Sequence, residues 1–479
     1  MQLQQYSAAI HVHSTFSNGQ YEVLQLAQFA HERDIDVLIL TDSFLTTVMY
    51  GIWPLDRIGF KGINKMVRPA VRDHGVENYF AAVREAQSKF PDLLIIPAVE
   101  AAPYYYWKGK PWTELTLHDF DRHLVVLGLT EEEIKNLPVI GNATWENTPK
   151  DWNLILVPAG LFVGGTSLLF VRRRKKIRLK YYVIRQKRRP WRSAIVVMLL
   201  GLLLAWNNYP FGKISDPYSG EHDVAAYQSL IDYVRENGGV VYWSYPEARY
   251  RDVEVRGARM VSQTHPEDLL LTDGYHGFEG IYGDWITATL PGKTWDLALM
   301  QYIEGSHQPP PFVTTGIDFH YFKGKGGGWY DLRSGLTLLL APEKSEVAVL
   351  EALRSGHAYA TFQALEKRLR LYDFSVETTD GNTAIQGGRA EGEAPVKVHI
   401  HLDWLEEPPE RGEAFQVELI RNGEVVHQIE QPLPIRITLE QPLPSGRHYF
   451  RLRAVSGGVY QVLSNPLFVR IIKPANAPG

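Results

Sequence analysis

The stretch Ala8-Ala9-Ile10-His11-Val12-His13-Ser14-Thr15-Phe16-Ser17-Asn18-Gly19 decides how this 479-residue chain is read. A short apolar run, 8–13, reads as a strand that closes on two histidines, and Ser17-Asn18-Gly19 then turns the chain. Side chains at i and i+2 of a strand share a face, so both imidazoles can reach one ion. Residues 21–33 follow with helical periodicity (Val23, Leu24, Ala27, Ala30), and 36–41 reads as a buried strand. This opening predicts parallel strands, in an open sheet or a barrel.

The same rhythm continues outward. Helices are predicted at 76–90, 223–237 (stopped by Gly238-Gly239), 294–304 and 343–355, and strands at 93–99, 123–129, 240–244 and 312–317. From about Leu369 six short strands separated by turn residues predict an all-β sandwich. The expected division is therefore α/β barrel at 1–150 and 212–366, an inserted segment at 151–211, and the sandwich at 367–479.

Polar residues gather at the predicted strand ends. Asp318 and His320 repeat the two-residue spacing of His11 and His13; Asp42 ends the second strand, Glu100 follows the third, and His123 opens the next. Imidazole with carboxylate is the ligand set for Zn, Mn or Fe, and barrels build their sites at strand ends. The chain has no cysteine, which excludes thiolate metal sites and cysteine nucleophiles. Other groups carry less weight. Tyr104-Tyr105-Tyr106-Trp107 reads equally as a wall of the site or as packing, and His276 as a site residue or a core histidine. His222-Asp223 reads as a helix start, Arg249, Arg251, Arg256 and Arg259 as a solvated face, and the glycine-rich 323–328 as a loop rather than a phosphate cradle.

The inserted segment departs from the rest. Residues 172–192 hold twelve Lys/Arg and no Asp/Glu, whereas the remaining chain carries 38 basic against 54 acidic residues, a net charge of −16. The acidic bulk speaks against specific nucleic-acid binding. The basic block lies between the uncharged runs 154–171 and 194–206, the first of them 18 residues long. The first is long enough to span and carries Gly160 and Gly164 at the spacing for helix approach; the second, 13 residues, becomes adequate if Trp191 and residues 207–211 form its interfacial ends, and together the runs predict a transmembrane hairpin. Two buried core helices joined by a solvated basic loop are the weaker reading. The excess of Lys/Arg places loop 172–192 in the cytoplasm, against anionic lipid, and puts barrel and sandwich on the other side. Neither leader nor earlier span precedes residue 1 in this sequence, so that placement would need an upstream start, a reassigned start codon, or failure of the rule.

The ordered set His11-Val12-His13-Ser14-Thr15-Phe16-Ser17-Asn18-Gly19, Leu38-Ile39-Leu40-Thr41-Asp42, Ile96-Pro97-Ala98-Val99-Glu100, His123-Leu124-Val125-Val126-Leu127-Gly128 and Gly316-Ile317-Asp318-Phe319-His320 resembles the PHP (polymerase and histidinol phosphatase) family. With the trailing β region ending Ser464-Asn465-Pro466, it resembles the carbaryl-hydrolase-type branch. The resemblance implies a distorted (β/α)7 barrel and a divalent-metal hydrolase acting on a small-molecule substrate. The chemistry would be phosphoester hydrolysis, with ester or carbamate hydrolysis in that branch. It implies His11, His13, Glu100 and Asp318 as the main ligands, His123 and His320 as secondary ones, and Asp42 as a ligand-supporting partner or proton acceptor. Ser17, Ser43 and Tyr245 stand where the family often has imidazoles, so one or two ions are expected rather than three. A binding or sensor protein that keeps a degenerate site is the alternative.

Overall fold

In the computed structural model, residues 1–2, 47, 49, 52–68, 111–113, 143–151, 179, 210–216, 218–223, 248–250, 256–257, 283–285, 322–330, 364–366, 407–412, 459 and 474–479 lie outside the described residues. His222-Asp223, Arg249, Arg256 and the glycine-rich 323–328 fall among them.

Seven strands form the barrel: β1 Gln4–Val12, β2 Val37–Ser43, β3 Leu94–Ala101, β4 Leu124–Leu127, β5 Val240–Trp243, β6 Gly277–Ile281 and β7 Phe312–Thr315. They lie side by side in the order β7-β6-β5-β4-β3-β2-β1. Residues just beyond β7 close the ring. Ile317 N donates to Ile10 O at 3.3 Å, Phe319 N to His11 O at 2.9 Å, and His13 N to Phe319 O at 2.9 Å. The strands read as near-continuous Val, Leu, Ile and Ala because both faces are buried. Ala8, Ile10, Val37, Ile39, Ile96, Ala98, Val125 and Leu127 share one core with Ala348, Val349, Ala352 and Leu353 of helix α7, Glu346–Ser355. The alternate residues Ala9, Leu38, Leu40, Val99 and Val126 share another with α1 (Val23–His31), α2 (Val76–Lys89), α5 (Ala225–Glu236) and α6 (Thr294–Glu304).

One expectation about strand direction fails. β4 runs antiparallel to both β3 and β5. Among the described residues no helix crosses over between β3 and β4; the chain instead makes the short strands Tyr106–Gly109 and Leu115–His118. These join Arg251–Val255 and Ala258–Ser262 in a side sheet that the sequence pattern did not announce. The chain thus re-enters the barrel at the rim where β3 left it.

Beyond β1 the sheet continues through β8 (Gly335–Ala341) and β9 (Ala358–Gln363) into Tyr460–Ser464, so barrel and β region share one hydrogen-bonded sheet. The β region is sandwich-like. A second sheet of Thr383–Ile385, Leu369–Glu377, Val396–Trp404 and Ile435–Gln441 encloses its own core of Phe374, Val398, Ile400, Phe415, Leu452 and Val462.

The inserted segment forms helices α3 (Asn153–Leu168) and α4 (Trp191–Asn208), packed on each other. By sequence the first run has the length to span, and the second has it only with Trp191 and residues 207–211 at its ends. In the structure the second is the longer helix. Trp191, Arg192, Ser193 and Asn207-Asn208 extend the second helix to 18 residues, and it is the one helix among the described residues long and apolar enough to cross a membrane; the first has 16. The predicted glycine pair is corrected too. A Cβ on Gly160 or Gly164 would meet nothing within 4 Å, whereas one on Gly165 would strike Met198, and one on Gly201 the backbone of Pro158 and Phe162. Close approach therefore runs through Gly165 and Gly201. The basic loop is a two-stranded ribbon, Arg173–Arg178 with Val183–Arg188.

Candidate metal centre

A bulge builds the site. β1 pairs with β2 through Ala8, Ala9 and Ile10, then skips His11 and resumes at Val12. His11 has φ 67°, a left-handed conformation that non-glycine residues seldom adopt. Without the bulge His11 and His13 would share the outward face of Ala9. The extra residue shifts the phase by one, so Val12 packs outward with Ala9 and both imidazoles turn inward. The two-residue spacing therefore works for a different reason than simple alternation. Asp318 (φ 45°) and Tyr245 (φ 44°) also hold left-handed conformations at strand ends of the same rim. Strained residues from three separate elements that converge on one spot mark a site rather than a defect.

The rings of His11 and His13 lie 5.1 Å apart, both buried. Asp318 Oδ1 is 3.7 Å from His11 Nε2 and 3.4 Å from His13 Nε2. Glu100 reaches in with Oε1 3.2 Å from His11 Nε2 and Oε2 3.8 Å from His13 Nε2. Donor atoms of His11, His13 and Asp318 lie within 4.8 Å of one another. His123 Nδ1 sits 3.0 Å from Glu100 Oε1, the same oxygen that faces His11 Nε2. It reaches the rim from the first end of its strand only because β4 is reversed. His320 stacks on His13 at 4.3 Å and holds Nε2 2.8 Å from Asp318 Oδ1.

Both central imidazoles are gripped on their other nitrogen. His11 Nδ1 lies 2.6 Å from Glu279 Oε1, so it donates its proton there. Ser17 Oγ donates to Asp42 Oδ1 at 2.6 Å and therefore accepts from His13 Nδ1 at 3.0 Å. Asp42 is fully buried and also accepts from Ser14 N and Ser14 Oγ, both at 2.7 Å. It stands behind His13, on the Nδ1 side, as an anchor rather than beside the converging Nε2 atoms. These bonds, from which the tautomers are inferred, leave the Nε2 lone pairs of His11 and His13 facing the same point. Both Nε2 atoms are buried without a hydrogen-bond partner. Donors about 2.1 Å from one ion in tetrahedral array lie about 3.4 Å apart, close to the separations seen here. The residues fit a divalent cation.

The electrostatics agree. Burial opposes charge on every member, and neighbours decide the outcome. Burial raises the Glu100 carboxyl, but His123 and His11 outweigh it and hold it well below the usual range. Asp318 is likewise held low against burial by His320 and His13. Burial works against charge on His11, yet Glu279 and Glu100 raise its pKa well above the ordinary value. His13 is lowered by burial, then by His320. The carboxylates around His11 call for positive charge at Nε2, which a proton or a cation can supply. Burial also pushes the Asp42 and Glu279 carboxyls up.

Glu279 escaped the sequence reading. Its signal is a lone acid between glycines inside the buried strand Gly277–Ile281. Gly316 is the second half of that signal, because a Cβ there would run into the Glu279 carboxylate. Other residues take the plainer of their two readings. His276 accepts from Val241 N at 3.2 Å as a core histidine. Tyr104 to Trp107 are buried, Tyr106 stacking on His118 at 4.8 Å. Arg259 pairs with Asp252 and Glu114 at the surface.

No protein-family model matches the chain, and no curated protein matches it. Among solved structures it resembles a two-domain protein of Bacteroides vulgatus containing a predicted PHP-like metal-dependent phosphoesterase. The two are 12% identical over 95% of each chain, with a TM-score of 0.36. A candidate metal-dependent phosphoesterase of Bifidobacterium adolescentis is 15% identical over 68% of this chain and 91% of its own, TM-score 0.29. An amidohydrolase of Chromobacterium violaceum with bound sulfate and no metal is 14% identical over 67% and 89%, TM-score 0.25. Likenesses this distant carry no argument about activity; the geometry of the site does.

Proposed function

We propose that this chain is a metal-dependent hydrolase, with phosphoesters as the substrate class. One observation carries the reading: the Nε2 lone pairs of His11 and His13, each fixed by a carboxylate-anchored bond on Nδ1, converge on Asp318 and Glu100. His11, His13, Asp318 and Glu100 would hold the first cation (Zn, Mn or Fe), and Glu100 with His123 the second where there is one. His320 keeps Asp318 oriented. A bound cation supplies Lewis acidity toward a phosphoryl oxygen and toward water. In the net reaction water adds its oxygen to phosphorus, the phosphorus–oxygen bond to the leaving alcohol breaks, and that alcohol gains a proton. Elemental analysis of purified protein tests the reading. About one transition metal per chain, lost in the His11→Ala/His13→Ala variant, together with hydrolysis of bis(p-nitrophenyl) phosphate, supports it. No metal uptake after incubation with Zn²⁺ or Mn²⁺ sinks it.

A binding or sensor role is the second reading, favoured by a specific change. Ser17 and Ser43, which stand where the resemblance expects imidazoles, bond inward to Asp42 and Glu100 instead of offering ring nitrogens. Metal uptake without turnover would select it.

The hairpin is read as a membrane anchor crossing twice, with the basic ribbon on the cytoplasmic side. In support, Leu156, Val163, Ile195, Val196, Leu199, Leu202 and Trp206 are exposed on the outside of the α3–α4 pair. The chain has no cysteine, so Lys180→Cys gives a unique label in the ribbon. Labelling of intact cells by an impermeant maleimide would reverse the assigned side, and recovery of the chain in the soluble fraction would remove the anchor.

A further inference from the structure

The reading above leaves the phenol of Tyr245 without a task. Tyr245 follows β5 and turns inward at φ 44°. Its flanks are pinned: Ser244 N donates to His123 O at 3.1 Å, and His265 N donates to Pro246 O at 2.7 Å. The ring stacks on His11 with centroids 4.8 Å apart and meets Tyr282 edge-on at 5.2 Å. The hydroxyl oxygen is closed off from solvent and makes no hydrogen bond of normal geometry, although the Asp318 carboxylate lies close enough to attract its proton.

This hydroxyl differs in kind from what surrounds it. Glu100, Asp318 and Glu279 are carboxylates that accept hydrogen bonds, and the Nε2 lone pairs of His11 and His13 are acceptors as well. A substrate oxyanion entering here would be repelled by the carboxylates, and beside the cation it would find only imidazoles such as His123 and His320 that are already held by Glu100 and Asp318. A phenol is a neutral donor at pH 7, so it can pair with such an oxygen without adding charge. A packing ring would do as well with Phe; the strained backbone instead carries a donor into an acceptor-lined site.

We propose that Tyr245 is a substrate-binding residue whose hydroxyl donates a hydrogen bond to a non-bridging oxygen of a phosphoryl group held at the His11–His13–Asp318 cluster. The proposal rests on the metal-hydrolase reading. It assigns Tyr245 to oxyanion recognition and not to metal binding.

The experiment compares the full-length wild type, Tyr245→Phe and His11→Ala/His13→Ala. Three quantities are measured: Mn²⁺ affinity, the Kd of inorganic phosphate at saturating Mn²⁺, and kcat and KM on bis(p-nitrophenyl) phosphate. Phe keeps the ring on His11, and thermal melting reports whether the fold is kept. The expected result is Mn²⁺ affinity within about two-fold of wild type, phosphate bound about ten-fold more weakly, and kcat lowered about ten- to a hundred-fold. Unchanged phosphate affinity would make the phenol a packing group and overturn the proposal while leaving the hydrolase reading intact. Loss of Mn²⁺ affinity or a lowered Tm in Tyr245→Phe would overturn it too, since the hydroxyl would then serve the ligand cluster or the fold. If wild type and His11→Ala/His13→Ala bind Mn²⁺ equally poorly, the hydrolase reading falls first and takes the proposal with it.

Discussion

Two of the buried polar clusters among the described residues solve the problem of buried charge in opposite ways. Where α6 meets the sandwich, Arg451 reaches Asp296 through two bonds of 2.6 Å, and neither side chain is more than 1% exposed. Tyr449 Oη at 2.9 Å and Gly292 N at 2.7 Å complete the carboxylate, and the guanidinium lies 4.6 Å over Trp295. Opposite charges, matched forks and relaxed geometry leave only Arg451 Nη1 without a partner. At the barrel rim, by contrast, carboxylates outnumber fixed cations, three residues are strained, and His11 Nε2, His13 Nε2, His320 Nδ1, Tyr245 Oη and Glu279 Oε2 go unpaired. Burial is common to both clusters. Satisfaction is what separates a structural cluster from one that awaits a ligand.

The largest effect should come from breaking the satisfied cluster. Asp296→Ala strands Arg451 in the core and should cost about 3–5 kcal/mol of stability, read by urea unfolding. Variant protein that stays folded should bind Mn²⁺ like wild type; a loss of metal binding in parallel would mean that the two clusters are not independent. The second test concerns pH. Burial lowers the pKa of the core histidine His276 to about 4. Between 6.5 and 4 the unfolded chain takes a proton that the folded one refuses, so this group's contribution is full above pH 6.5 and declines as pH falls toward 4. The decline amounts to about 3 kcal/mol, and His276→Asn should flatten it in urea melts at pH 7 and pH 4.5. Equal slopes in both proteins would show that other groups carry the acid sensitivity.

Smaller effects should sharpen the contrast from the side of the rim. Glu279→Gln removes the charge behind His11 and should weaken Mn²⁺ binding about 10- to 100-fold with little change in Tm. Gly316→Ala, which pushes the same carboxylate aside, should match it in direction. Ser17→Ala breaks the link from Asp42 to His13 and should weaken the metal by about ten-fold or less, since His13 keeps its place through packing on His320. If Ser17→Ala instead destabilised the fold and spared the metal, Asp42 and Ser17 would belong with Arg451 among structural groups.

The sequence made most of the elements legible, because apolar periodicity and turn residues report local choices. Residues 294–304 read as a helix and fold as one, and the predicted sandwich strands form a second core. Direction was not legible for β4, because a strand's polarity depends on how the chain returns, and the side sheet that returns it is held by long-range pairing. The hairpin glycines show the same limit. Gly160 and Gly164 have the familiar spacing, but helix rotation brought Gly165 and Gly201 to the contact.

By itself the sequence determined the chemistry on offer: imidazoles and carboxylates placed at strand ends, no thiol, and one basic block between apolar runs. Residue type and local order are properties of the chain, and they suffice to name a ligand set. The tertiary structure decided which atoms face one another. A one-residue bulge at His11, fixed by pairing with β2 and by Phe319 across the closing seam, turned two outward histidines inward. Glu279 and Asp42, 268 and 25 positions from the residues they hold, set the nitrogens that remain free. Strand phase and hydrogen-bond partners arise from contacts between distant segments, and no local pattern encodes them.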